Sequence, residues 1–454
     1  MIEAIKNLGL IHLNQRLGET GKDKIRSVQE FSKIMGDNPT LVAGLLAKSA
    51  GDNADNIKVF VISDGKDEIY EEEYDAVDYR KYLYKKPFGS KGAYLLPSFK
   101  RTGDKERHTN ETLRRLNECL EKNVNHSELK NLFIKFTDRI TTHLNDGNKH
   151  EKGKTSFYTF KLKGKYPGEI EDIAKQFINV IYRDFKSAKG KDSLGQGVCS
   201  LCRRKEEVYG VASPLKFFTL EKEGFFPDFD CAYSWKSFPV CRDCALLLDI
   251  GESYMERHLG TYIAAHPCYI IPSFSFIEKR TDFESLDDFV DIASKRIFVK
   301  REDIENVKDY EDGIREQERV PALTYHLLFY ERTNAAFNII KHIEGIIPSR
   351  ITKMFQITQE VDKRYIDNRW FPIEKSNSYK LDLTFGFLNR IFNKTKKNTI
   401  ITSLDLIADI FHDRKIDKGN LFTDFSTHLQ RIYLDQINKR KGKKMVVFQD
   451  RLKL

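Results

Sequence analysis

Cys199-Ser200-Leu201-Cys202 and Cys241-Arg242-Asp243-Cys244 are the stretches that decide how this chain is read. Two residues separate the cysteines of each pair, so both thiolates of a pair can turn toward one point. Two such pairs complete the tetrahedral sulfur shell that zinc prefers. With all four positions filled by protein, the ion is expected to be structural rather than catalytic. No histidine lies between Cys199 and Cys244, which leaves sulfur as the ligand set. Cys231 has no partner at knuckle spacing and is at most a substitute ligand. Neither pair has the electropositive βαβ setting of a thioredoxin-like redox site. An iron–sulfur cluster stays open on sequence alone.

The long spacer between the pairs predicts a small sub-domain. Within it, Leu215 to Leu220 reads as a strand, Gly224 to Phe229 as an aromatic loop, and Trp235 to Pro239 as the return to the second knuckle. Gly190 to Gly197 reads as a flexible lead-in. A helix from Ala245 to Leu259 starts at the second knuckle, so a metal would pin its N-terminus. Four thiolates on one dication leave a net charge of about −2. Arg203, Arg204, Lys205 and Arg242 can offset that charge or face phosphates instead, and both readings stand.

Upstream, residues 1–50 predict two or three short helices. Ile57 to Ile62 predicts a strand with its return among Asp67 to Asp78, and 110–145 is helical by its apolar period. Tyr79 to Arg101 has a different character. Its tyrosines and basic residues, Tyr82, Lys85, Lys86, Lys91, Lys100 and Arg101 among them, combine faces on which bases stack with charges that neutralise phosphates. The competing reading is a loop whose tyrosines pack on the core. Gly147 to Thr155 imitates a phosphate-binding loop, but it has one residue too many between its glycines and follows a helix rather than a strand. Phe157 to Leu162 then predicts a strand and Glu169 to Phe185 an amphipathic helix.

Downstream, strands are expected after Ile270, over Ala322 to Tyr330 and over Phe337 to Ile343, with a helix at Leu286 to Ile297 and an acidic stretch at Glu302 to Glu318. Past residue 350 the strand signals stop. Helical patterns at Arg350–Tyr365, Leu381–Phe392, Leu404–His412 and Asn420–Ile437 predict a four-helix bundle. It ends in a basic tail whose Lys439, Arg440, Lys441, Lys443 and Lys444 are candidates for backbone contact with nucleic acid. The fold class is therefore α+β: a mixed N-terminal and central domain (1–197 and 261–349), a zinc-finger-like insertion carrying the four paired cysteines (198–260) and a C-terminal helical bundle (350–454).

With 454 residues, 40% hydrophobic and 31% charged, the chain has ample material for folded domains. Its net charge of +9 favours polyanionic partners. No signal pattern or membrane-length apolar run appears, so the expected location is cytoplasmic, without a membrane partner. Metalloprotease and nucleophile-elbow motifs and a Walker-type loop are all missing from the sequence. The residues alone therefore point to a non-enzymatic, metal-stabilised protein with affinity for nucleic acid.

Several segments together resemble a known family, the large subunit of the type I-B CRISPR surveillance complex, Cascade. The resemblance is carried by Cys199 to Cys202, Phe217 to Leu220, Gly224-Phe225, Trp235-Lys236 and Phe238 to Ala245. Tyr82 to Lys86, Phe329 to Phe337 and Ile347 to Arg350 extend it. It implies a subunit at the foot of a guide-RNA-bearing backbone of repeated subunits, with a small-subunit-like C-terminal bundle. Such a subunit reads a protospacer-adjacent motif on double-stranded target DNA, helps open the duplex, stabilises the displaced strand and recruits a helicase–nuclease in trans. In some family members the bundle is also translated separately, and Met354 stands where such an internal start would fall. The alternative is a zinc-stabilised RNA-binding or scaffold protein with no DNA-recognition role.

Overall fold

A computed structural model describes residues 1–85, 93–101, 106–188, 191–212, 230–274, 323–347 and 403–440, less a few positions within them, plus isolated residues elsewhere. The expected strand at Leu215–Leu220, the aromatic loop, the helix at Leu286–Ile297 and the acidic stretch lie outside them. So do the first two bundle helices apart from isolated residues, and Lys86, Lys91, Lys441, Lys443 and Lys444. The fold is α+β, and the chain forms two compact units, Ile2–Tyr254 and Met255–Leu454 with Met1.

In the first unit, three helices, α1 (Ile2–Glu19), α2 (Val28–Asp37) and α3 (Pro39–Leu46), precede strand β1 (Ile57–Ser63). Then come β2 (Tyr70–Glu73), β3 (Phe99–Lys100), α4 (Glu106–Lys122), α5 (Ser127–Asn145), β4 (Thr155–Lys161) and α6 (Glu171–Lys186). The sheet order is β2-β1-β4-β3, with β1 parallel to β4 and the outer pairs antiparallel. That order follows from composition. β1 and β4 are near-continuous apolar runs, buried on both faces, as central strands must be. β2 alternates half-buried Tyr70 and Glu72 with exposed Glu71 and Glu73, the pattern of an edge.

A short hairpin, β5 (Ser187–Ala188) with β6 (Lys191–Asp192), leads into a three-stranded antiparallel sheet of β7 (Leu194–Val198), β8 (Lys205–Tyr209) and β9 (Val240–Cys241). Helix α7 (Arg242–His258) follows without a break. It crosses α1 backbone to backbone: a Cβ on Gly9 would sit 2.0 Å from the Leu247 carbonyl oxygen, and one on Gly251 would sit 1.9 Å from that of Ile5. Only glycine at both positions lets the helices approach so closely. Asp249 of α7 also pairs with the buried ammonium of Lys85.

The second unit is built on a four-stranded antiparallel sheet in sequential order, β10 (Gly260–Ile263), β11 (His266–Phe274), β12 (Leu323–Thr333) and β13 (Ala336–Ile346). Two helices follow among the described residues, α8 (Ser403–Phe411) and α9 (Lys418–Arg440). Helix α8 buries Leu404, Leu406, Ile407 and Phe411 and is tied to β13 by a 2.6 Å ion pair from Lys341 to Asp405. Lys439 and Arg440 close α9.

Candidate metal centre

The centre is assembled by two turns. After β7, the chain makes a tight knuckle in which the Cys199 amide donates to the Arg204 carbonyl and the Arg203 amide to that of Cys199. Arg203 takes a left-handed conformation, φ 62°, to close it. The Ser200 amide reaches the Pro239 carbonyl, which fastens the first knuckle beside the second. Cys241 ends β9, and Cys244 lies in the first turn of α7. The four sulfurs lie within 4.8 Å of one another, with Cys202 and Cys241 Sγ 3.6 Å apart.

That geometry fits a tetrahedral ion. At the ordinary zinc–sulfur length, sulfurs sit about 3.8 Å apart, so the cage closes on a metal with sub-ångström movement. It is much too open for a disulfide, whose sulfurs lie about 2 Å apart. Cys199, Cys241 and Cys244 are fully buried and Cys202 is half-buried. Hydrogen bonds from Cys241 and Cys244 hold the Cys199 thiol well below its usual range, and the same contacts push the thiols of Cys241 and Cys244 upward. A dication bound among the four sulfurs would stabilise all of them as thiolates.

Arg204 answers the charge of this cage. Its guanidinium approaches Cys202 Sγ at 3.4 Å and Cys241 Sγ at 3.7 Å, and it bonds Asp243 Oδ2 at 2.8 Å. Ser32 of α2 donates to the same carboxylate oxygen at 2.8 Å, so the site is braced from the N-terminal helices. The Cys241 amide adds a 3.4 Å contact to Cys199 Sγ. Of the neighbouring basic residues, Arg203 points to solvent, and Arg242 stacks over the Tyr182 ring at 4.6 Å. The role of Asp243, inside the second knuckle, carries no signal of its own in the sequence. The Trp235 ring covers β7 so closely that a Cβ on Gly195 would lie 2.4 Å from it. The glycines taken for a flexible lead-in are thus a strand that makes room for an indole.

The basic-aromatic stretch divides. Tyr82 is 1% exposed, wedged among Tyr74, Phe157 and Tyr166. Lys85 is buried in its ion pair with Asp249. These two are interior residues: the Tyr82 ring adds its apolar area to an aromatic cluster, and the Lys85 charge is met by Asp249. Lys100 and Arg101 lie half-buried at the end of β3, Lys100 over the Tyr84 ring and Arg101 donating to the Leu144 carbonyl.

Two family models match this chain. The N-terminal domain of CRISPR-associated protein TM1802 (cas_TM1802) matches residues 1–179, and the central domain of the same family matches residues 196–346. The chain is a CRISPR-associated protein. The second match begins just ahead of the first knuckle and contains the whole cysteine cage. No curated protein matches the chain. Among the described residues, no helix is long and apolar enough to cross a membrane.

Proposed function

We propose that this CRISPR-associated protein is the non-catalytic large subunit of a type I-B effector complex. In that reading it binds target double-stranded DNA at the protospacer-adjacent motif, helps open the duplex, holds the displaced strand and recruits a helicase–nuclease. Its partners are the guide RNA and the backbone and small subunits of the complex. The observation that carries the proposal is the pair of consecutive family matches, with the cysteine cage inside the second. In such a division of labour, base pairing reads the target while protein reads the short motif and the nucleic-acid backbone.

The cage holds Zn²⁺ in a structural role, through Cys199, Cys202, Cys241 and Cys244. The finer division into 1–197, 198–260, 261–349 and a small-subunit-like bundle at 350–454 belongs to the same proposal, as does an internal start at Met354. Exposed Arg203, half-buried Lys100 and Arg101, and the basic end of α9 at Lys439 and Arg440 are the described candidates for phosphate contact.

Purification with guide RNA and the other subunits tests the assignment. The assembled complex should bind motif-bearing duplex with an affinity that falls steeply with salt, and it should discriminate against a scrambled motif. Binding to RNA alone, with no preference for motif-bearing duplex, would favour the scaffold alternative. Metal-dependent cleavage of DNA by the purified chain would overturn the non-catalytic assignment.

A further inference from the structure

The second unit contains another convergence of metal-ligating side chains. His326 lies on β12, and His342 and Glu344 lie two residues apart on β13. Leu328 pairs with His342 across the two strands, so alternation puts His326, His342 and Glu344 on one face of the sheet. The register then slips between Tyr325 and Leu327, whose partners are Ile346 and Ile343. The extra residue is absorbed at Glu344-Gly345, with Gly345 at φ 68°. This bulge draws the three side chains together, as bulges commonly re-aim side chains.

His326 Nδ1 and His342 Nε2 are 3.2 Å apart, and a Glu344 carboxylate oxygen lies within 4.8 Å of both. Two imidazole nitrogens on a tetrahedral ion at ordinary zinc–nitrogen lengths stand about 3.3 Å apart. The Glu344 segment is held in place from behind, where His412 Nε2 hydrogen-bonds the Glu344 carbonyl oxygen at 2.8 Å. His326 is 8% exposed, His342 half-buried and Glu344 exposed, so the cluster has a dry inner side and a wet outer side.

We propose that His326, His342 and Glu344 form a second metal site, separate from the cysteine cage, that takes an exchangeable divalent cation of the zinc, cobalt or nickel type. The ligand set selects that class. Two imidazoles and one carboxylate suit borderline cations, whereas magnesium and calcium require shells of oxygen. Three protein ligands with the carboxylate at the surface leave the remaining coordination positions to water.

Cobalt titration of the full chain, stripped of metal under reducing conditions, separates the two centres. Cobalt on four thiolates gives strong sulfur-to-metal charge-transfer bands, and cobalt on nitrogen and oxygen gives only weak d–d bands. Wild type should take up cobalt of both kinds. The His342→Ala variant should lose the nitrogen-and-oxygen component and keep the charge-transfer component. Glu344→Gln, a change at an exposed position, should weaken the former by about tenfold with the circular dichroism spectrum unchanged. That variant keeps the test decidable if His342→Ala folds poorly. The proposal is overturned if wild type takes up no cobalt beyond the thiolate-bound ion, or if Glu344→Gln titrates like wild type. Either result would mean a hydrogen-bonded histidine pair and nothing more. Loss of the charge-transfer bands alone would count against the cysteine cage and leave this site standing.

Discussion

The cysteine cage, held between a β-hairpin turn and the β9–α7 junction, and the histidine–glutamate cluster, held across two paired strands, are closed to different degrees. The cage has four soft ligands, three of them fully buried, and the guanidinium of Arg204 together with backbone amides meets its charge. The histidine cluster has three harder ligands, one of them in water. Its ligands also come from a different range of the chain's geometry. Each cysteine pair is local, set by a turn, whereas the histidines meet only through the pairing of two strands and the register shift beside Glu344. A closed site with local ligands stabilises the fold it sits in. An open site across a sheet is a consequence of a fold made elsewhere.

The largest expected effect tests the closed half of that contrast. Cys241→Ser should abolish thiolate-bound metal and destabilise the unit Ile2–Tyr254 on the order of 5 kcal/mol. Metal analysis and a denaturant melt check both, and unchanged metal content would refute the ligand assignment. Next comes the ion pair that α7 makes beyond the cage. Lys85→Met should cost about 3 kcal/mol by leaving the largely enclosed Asp249 without this partner, and Lys85→Met with Asp249→Leu should recover most of it. If the single variant melts like wild type, α7 is held by the cage and the α1 crossing without this ion pair.

Gly251→Ala should cost about 3 kcal/mol, because its methyl group meets the Ile5 carbonyl and the α1–α7 crossing must open. Metal content should survive, which separates the crossing from the cage. Asp184 supplies a pH test. Burial pushes its carboxyl up to about 6 from the ordinary 3.8. A raised folded-state value means that the native state holds this proton more tightly. The resulting stabilisation is present below about pH 4 and lost as pH rises through 6. Asp184→Asn should therefore gain up to about 3 kcal/mol at pH 7 and far less at pH 4, read from melts at the two values. The smallest effect tests the open half of the contrast. Glu344→Gln should change stability by less than about 0.5 kcal/mol while weakening metal binding at its own site. A large loss of stability would make that cluster a fold-bearing centre like the first.

Helices α1 to α7 and the strands with strong apolar periods, β1, β4, β12 and β13, were legible because periodicity reports burial directly. So was the cysteine cage, whose ligands are paired by spacing. Composition misled where a residue type has two uses. Gly195 and Gly197 read as flexibility, but they are the space Trp235 needs. Tyr82 and Lys85 read as a surface for nucleic acid, but they lie in the core and in a buried ion pair. His326 and His342 lie 16 residues apart, and nothing local signals their cross-strand meeting.

The sequence by itself determined the α+β class, the longer helices and apolar strands, and which four sulfurs can share an ion. Those features depend on contacts within a few residues of one another, where spacing and geometry are the same thing. Only the tertiary structure decided that Arg204 and Asp243 would serve the cage, that Gly9 and Gly251 would let α7 lie against α1, and that a bulge would bring Glu344 to two histidines. Each of these joins residues far apart in the chain. Their meeting is set by packing and register, which no short stretch of sequence contains.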